Sequence, residues 1–269
     1  MIADELPEYA QLLERANHAQ YGQLRQIAEF LQVSPGQQIV DVACGDGWYS
    51  RLFASLMNYR GRVVATDNSA AYLARARAST VQSLSDLEIV LTDGRQLPFR
   101  DGIFDLAWCA HSMITLRDRV AVLREMRRVV KTRGIVAVLE NDPLHGVMLP
   151  WPLELELDIR RAEWQAANQE RPPRELDSNR RLEECFVRAG LGTIRRTHFL
   201  AEHTLPLQPV VRRFLDTYLA DLRGRIEGFL DCRVVAKFDD LLRQNGQDKL
   251  LGQPNGSVGL LETLYWARV

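Results

Sequence analysis

The stretch that decides the fold is Ile39-Val40-Asp41-Val42-Ala43, followed at once by Cys44-Gly45-Asp46-Gly47. A short apolar run ends in small residues, and Tyr49, Leu52, Phe53 and Leu56 then recur at three- and four-residue steps. A strand buried on both faces reads as a near-continuous apolar run, whereas the three-to-four spacing belongs to an amphipathic helix. The residues between them form a strand-to-helix turn, where small side chains let the backbone approach a ligand closely. Free amides at the helix start favour a carboxylate. Open α/β sheets bind ligands at the carboxyl ends of their strands, where this turn lies.

The same alternation extends outward from it. Val63-Val64-Ala65, Leu87 to Leu91, Phe104 to Cys109 and Ile135 to Leu139 are further apolar runs. Ala70 to Ala78 and Val120 to Val130 read as helices, the second closed by Lys131, Arg133 and Gly134. Strands alternating with helices predict a parallel sheet covered on both faces. Upstream, Tyr9, Leu12, Leu13, Ala16, Leu24, Ile27, Ala28 and Leu31 predict helix up to the Ser34-Pro35-Gly36 break. Beyond Asn141 the alternation fails. Leu157 to Asn168 and Asn179 to Ala189 read as helices, Thr193 to His203 as a strand, and Val211 to Leu230 as a long amphipathic helix. Val234, Phe238, Leu241 and Leu242 extend that helix or begin another, Gly252 to Gly256 is a turn, and Leu260 to Val269 a last strand.

The 269 residues, 46% hydrophobic, suffice for one large domain with insertions. The net charge of −1 predicts no attraction to nucleic acid or to an anionic membrane. Lys131, Lys237 and Lys249 are the only lysines, so the basic residues are mostly arginine; Arg160, Arg161, Arg195, Arg196, Arg212 and Arg213 are candidates for gripping an anion. Cys44, Cys109, Cys185 and Cys232 show no metal-ligand spacing and no disulfide framework, so no metal is expected. With no basic leader and no apolar run long enough to span a bilayer, a cytoplasmic protein is the expectation.

Three more segments join the opening motif. Val64-Ala65-Thr66-Asp67-Asn68-Ser69 ends the second strand, Leu91-Thr92-Asp93-Gly94-Arg95-Gln96-Leu97-Pro98-Phe99 the third, and Phe104-Asp105-Leu106-Ala107-Trp108 forms the fourth. Together they resemble the class I S-adenosylmethionine (SAM)-dependent methyltransferases, in the branch typified by ubiquinone and menaquinone biosynthesis enzymes. The family's first motif is acidic-x-Gly-x-Gly-x-Gly. Asp41, Gly45 and Gly47 match it, and Ala43 replaces the first glycine. The resemblance runs from Ile39 to about Asn141. It implies an α/β, Rossmann-like, doubly wound seven-stranded sheet, mostly parallel with the last strand antiparallel, carrying helical lid insertions. The corresponding division is a helical cap at 1–36, a SAM-binding core at 37–142 completed by 177–205 and 256–269, and lid segments at 143–176 and 206–255.

The resemblance also implies the cofactor, SAM, with S-adenosylhomocysteine (SAH) as product, and its contacts. These are Asp41, Ala43, Cys44, Gly45 and Gly47 after the first strand, Asp67 and Asn68 after the second, Asp93, Gly94 and Arg95 after the third, and Cys109 on the fourth. In the family, Asp67 would accept from the ribose hydroxyls and Asp93 from the adenine amine. Each acid alone reads equally as a helix cap; three at neighbouring strand ends favour a shared ligand. A nicotinamide dinucleotide fingerprint fails, because Ser50 stands where its third glycine belongs.

His111 and His145 are the candidate catalytic residues, since imidazole titrates near neutrality. His111 reads either as a base or as a packing residue that holds a loop. Asp142 is a cap or a substrate contact; His18, His198 and His203 are weaker candidates. Trp151, Trp164, Phe214 and Tyr218 either line an apolar pocket or hold the lid to the core. The leading function is methyl transfer to a small molecule through oxygen, nitrogen or carbon, with secondary metabolism as the candidate setting, by a monomer or homodimer. Other SAM-dependent chemistry, a non-catalytic scaffold, and a nucleic-acid or protein methyltransferase are the alternatives. The lack of a basic tract weighs against nucleic acid.

Overall fold

The computed structural model describes residues 10–79, 87–116, 118–142, 144–169, 181–242, 246–252 and 256–269. Strand β1 (Gln38–Val42) pairs in parallel with β2 (Arg62–Asp67) on one side and β4 (Phe104–Ala110) on the other. Strand β3 (Leu87–Leu91) continues beyond β2, and β5 (Val130–Glu140) beyond β4, all in parallel. The chain therefore steps outward from β1 to β3 and then returns to the other side of β1. Loops leaving β1 and β4 diverge at that switch point and open a crevice at the carboxyl ends of the strands.

Strand β8 (Val258–Arg268) runs antiparallel to β5, and β7 (Arg195–His203) runs antiparallel along its far edge. The expected parallel sheet with an antiparallel last strand is present, with eight strands among the described residues rather than seven. The additional strand is β6 (Val147–Met148), which meets Gly259 and Leu260 on the β8 edge that β5 occupies from Thr263 onward. Two residues are too few to show a period of two in sequence. Strand β5 also starts earlier than its apolar run, because Val130 already pairs with Phe104.

Alternate residues of the central strands serve opposite faces. Val40, Val42, Val136 and Val138 pack with α5 (Arg119–Val129) and α7 (Leu182–Arg188). Ile39, Val63, Ala137 and Leu139 pack instead with α2 (Tyr21–Phe30) and α3 (Trp48–Leu56). Helix α5 is capped by Asp118, whose Oδ1 accepts from the Ala121 amide at 2.9 Å. The expected single N-terminal helix is two, α1 (Ala10–Ala19) and α2, parted at Gln20. Helix α4 (Ala70–Ser79) follows β2.

A separate apolar cluster joins α6 (Leu153–Gln169), α8 (Pro209–Ile226) and α9 (Cys232–Leu242) to Ala19 of α1 and to Val258 and Leu260 of β8. Trp151 stacks on Phe238 with ring centres 5.7 Å apart, and Phe214 on Tyr218 at 6.1 Å. These three aromatics besides Tyr218 are buried in the helical unit, while Trp164 is exposed. Helix α10 (Gly246–Leu251) was not anticipated. The helix expected over Asn179 to Ala189 is α7; its first two residues, and 253–255 of the expected turn, lie outside the described residues. Among the described residues no helix is long and apolar enough to cross a membrane.

Candidate active site

The loop after β1 carries three left-handed residues, Ala43 (φ +56°), Gly45 (φ +55°) and Gly47 (φ +75°). Ala43 stands where the family pattern has glycine, and its backbone takes the conformation glycine adopts most readily. The Cys44 amide donates to the Thr66 carbonyl at 2.9 Å, tying this loop to the end of β2. Gly47 begins α3, and a Cβ there would lie 3.2 Å from that of Ala76.

Asp67, at the end of β2, holds the loop from below. Its Oδ2 accepts from the Gly45 amide at 2.9 Å and its Oδ1 from the Ser69 amide at 2.8 Å. Burial raises its pKa, and these backbone donors partly offset the rise. A carboxylate has about four acceptor positions, so this one keeps capacity for a diol. Asp41 is deeper, with Oδ2 accepting from the Ser50 hydroxyl at 2.5 Å. Burial pushes it up to about 7, although the Ser50 bond opposes the shift.

These residues converge. Asp41, Ala43, Cys44, Gly45, Asp67 and Asn68 line one cleft of about 360 Å³, together with Tyr49 and His111. Helix α1 forms its other wall through Leu13, Glu14 and Asn17. Glu14 pairs with Arg75 of α4, and Arg15 donates to Thr217 of α8, so α1 is fastened to both the core and the helical unit.

The remaining expected contacts are not among the residues lining this cleft. Asp93 is held by Arg95, with Nη2 2.6 Å from Oδ2 and the Arg95 amide 2.9 Å from Oδ1. Those hydrogen bonds, helped by the guanidinium charge, hold its carboxyl below the usual range. Any adenine amine reaching Asp93 must compete with Arg95. Gly94 packs on the core, where a Cβ would come within 3.1 Å of Val42 Cγ1. Cys109 is fully buried among the residues beneath α5, and burial pushes its thiol well up. His145 is exposed beyond β5, with Nδ1 3.2 Å from Asp142 Oδ1. His18 bonds the Glu14 carbonyl and His198 the Thr263 hydroxyl. Arg160, Arg161, Arg196 and Arg212 pair with Glu163, Asp158, Glu183 and Asp248.

His111 does reach the cleft. It directly follows β4 in the left-handed region (φ +50°), with its amide donating to the Leu139 carbonyl at 2.9 Å. Its Nε2 is 3.0 Å from Oε2 of Glu262, which is fully buried on β8. Burial disfavours the charged ring, but the Glu262 charge and hydrogen bond, with Glu140 adding, carry it up to about 9. Glu140, at the end of β5, accepts from the Met113 amide at 2.6 Å; burial takes it up to about 7 against the pull of His111. Sequence reasoning missed Glu262. The available signal was a lone acid within the apolar run Leu260-Leu261-Glu262-Thr263-Leu264.

Residues 40–138 match the family described as a methyltransferase domain. The ubiquinone/menaquinone biosynthesis C-methyltransferase UbiE of Cupriavidus taiwanensis is 35% identical over 128 residues, 47% of this chain and 50% of that protein. Residues 40–138 of this chain are a methyltransferase domain of the class I SAM-dependent kind. The 2-phytyl-1,4-naphtoquinone methyltransferase of Synechococcus elongatus is 30% identical over 136 residues, 50% of this chain and 58% of that protein. The chain thus spans about half the length of the curated relatives it matches.

Solved structures share the fold over more of the chain. The YcgJ protein of Bacillus subtilis superposes with a TM-score of 0.57 at 17% identity, covering 92% of this chain and 98% of that one. The [4+2]-cyclase SpnF superposes with a TM-score of 0.51 at 17% identity, covering 91% and 81%. At this identity the likeness is one of fold, and fold does not select the reaction. The donor set of the methyltransferase cleft suits SAM. Asp41 sets a buried carboxyl, raised to about 7, in the cleft, where a cationic ligand would favour its charged form, and Asp67 retains acceptor capacity beside the small-residue loop.

Proposed function

We propose that this chain transfers a methyl group from SAM to a small-molecule acceptor, releasing SAH. The observation that carries the reading is the meeting of Asp41, Asp67 and the Ala43–Gly45 loop in one cleft at the switch point of the sheet. SAM supplies an electrophilic methyl on sulfur. The chain's residues then need to hold the acceptor in line and exclude water. In this reading Asp67, with Asn68, binds the ribose, Asp41 balances the cofactor's positive charge, and Ala43, Cys44 and Gly45 admit its methionine end. Asp93 and the Gly94 and Arg95 amides take the adenine once Arg95 has moved.

The division of labour follows. In this reading the described residues of 1–36 cap the cleft, and those of 37–142, 177–205 and 256–269 form the cofactor core. The segments 143–176 and 206–255 act as a lid that selects the acceptor. The apolar cluster of the described part of those segments supports this, because it includes Ala19 of α1, the helix that walls the cleft. The net charge of −1 favours a small acceptor over nucleic acid. The test is a metabolite screen with SAM, followed by mass spectrometry. SAH together with a product one methyl group heavier is the expected outcome. Product formation without SAH would move the assignment to other chemistry.

A further inference from the structure

Buried polar groups from three strands and a helix meet at the inner end of the cleft. His111 directly follows β4, Glu140 ends β5, Glu262 lies on β8, and Tyr49 on α3 sets its ring edge-on to His111 with centres 6.1 Å apart. Glu262 has no exposure, and an isolated buried carboxylate is costly unless paired. One oxygen faces His111 Nε2; among the described residues the other, Oε1, has no hydrogen-bond partner, and neither has the buried Tyr49 hydroxyl. With Nε2 engaged, no group among the described residues bonds Nδ1, the second ring nitrogen of a residue that lines the cleft.

We propose that Glu262 is the positioning residue for His111, and that His111 Nδ1 takes the proton from a hydroxyl-bearing acceptor bound in the cleft. The proposal rests on the methyltransferase reading. A neutral amine needs no prior loss of a proton, whereas a hydroxyl benefits from a base. As the acceptor O–H bond breaks, its proton passes to Nδ1, its oxygen bonds the methyl carbon, and the carbon–sulfur pair stays on sulfur. Glu262 fixes the tautomer from behind and stabilises the imidazolium, as a carboxylate does behind a catalytic histidine. The titratable groups facing the ring are Glu262, Glu140 and Tyr49. Without cofactor the two glutamates favour the charged ring. A sulfonium brought into the cleft favours the neutral ring, and loss of that charge during transfer makes proton uptake favourable again.

The test is ¹⁵N-histidine NMR across pH on wild type and Glu262→Gln, with His111→Asn assigning the signal. Wild-type His111 is expected to titrate well above the ordinary value of about 6.5, with Nε2 carrying the proton of the neutral ring. Glu262→Gln should weaken its proton affinity at least about tenfold, and SAM should lower the midpoint relative to SAH. A wild-type midpoint at or below the ordinary value, or one unchanged in Glu262→Gln, overturns the pairing; the first of these is read on wild type alone. Equal midpoints with SAM and SAH remove His111 from proton transfer. Turnover of a hydroxyl acceptor unaffected by His111→Asn overturns the assignment of His111 as the base. Calorimetry with SAH runs beside these. If SAH does not bind, the methyltransferase reading falls and the proton-transfer step with it, while the Glu262→Gln comparison still decides the pairing.

Discussion

Ala43 holds a left-handed conformation where the family pattern has glycine. Its φ of +56° is the conformation that a glycine would hold there without a Cβ penalty. Ala43→Gly is therefore expected to be neutral or stabilising by up to about 1 kcal/mol, the strain relieved less the added unfolded-state entropy. Urea unfolding checks this; a clear loss of stability would mean that the alanine methyl contributes packing. Ala43→Val should instead destabilise by more than about 1 kcal/mol, because a β-branched residue tolerates this region poorly. Asp41 was legible as a strand-end acid, but its depth and its bond to Ser50 were not, since Ser50 lies a turn into the next helix. Asp93 was legible as an acid and not as the partner of Arg95, because two residues of loop do not reveal which way either side chain turns.

At the scale of elements, the central strands were readable because residues buried on both faces leave a continuous apolar run. Helix α5 carries a cap that its sequence position suggests, and Asp118→Ala should cost about 1 kcal/mol in thermal or urea unfolding. The break between α1 and α2 was hidden because apolar spacing continues through Gln20. The wall that α1 gives the cleft was hidden as well, because it depends on contacts with α4 and α8 far along the chain. Within the helical unit, Phe238 is fully buried against Trp151. Phe238→Ala is expected to destabilise by about 3–5 kcal/mol in urea unfolding, through lost burial and the cavity left behind. A loss under about 1 kcal/mol would show that α9 is not part of the folded unit.

For the whole molecule, the buried ionisable groups set the direction of the pH dependence. Asp41 goes from 3.8 to about 7 and Glu140 from 4.5 to about 7, so the folded chain keeps protons that the unfolded chain releases. Their contribution declines as pH rises from about 4 to 7. His111 goes from 6.5 to about 9, so its contribution is complete below 6.5 and is lost as pH rises through 9. Asp93 and Glu125 are held below the usual carboxylate range by Arg95 and Arg128, and their stabilisation is lost only as pH falls through their lowered values. Urea midpoints without cofactor should therefore decline from about pH 5 to pH 9; a flat or rising profile would contradict these charge states.

The central claim is that the cleft holds this cofactor, and calorimetric titration with SAH of wild type and Asp67→Ala, each confirmed as folded, tests it most directly. The account predicts one site at micromolar affinity, on the order of −8 kcal/mol, weakened by about 1–3 kcal/mol in the variant. Folded wild type that binds no SAH at millimolar concentration, or binds it equally well without the Asp67 carboxylate, would contradict it.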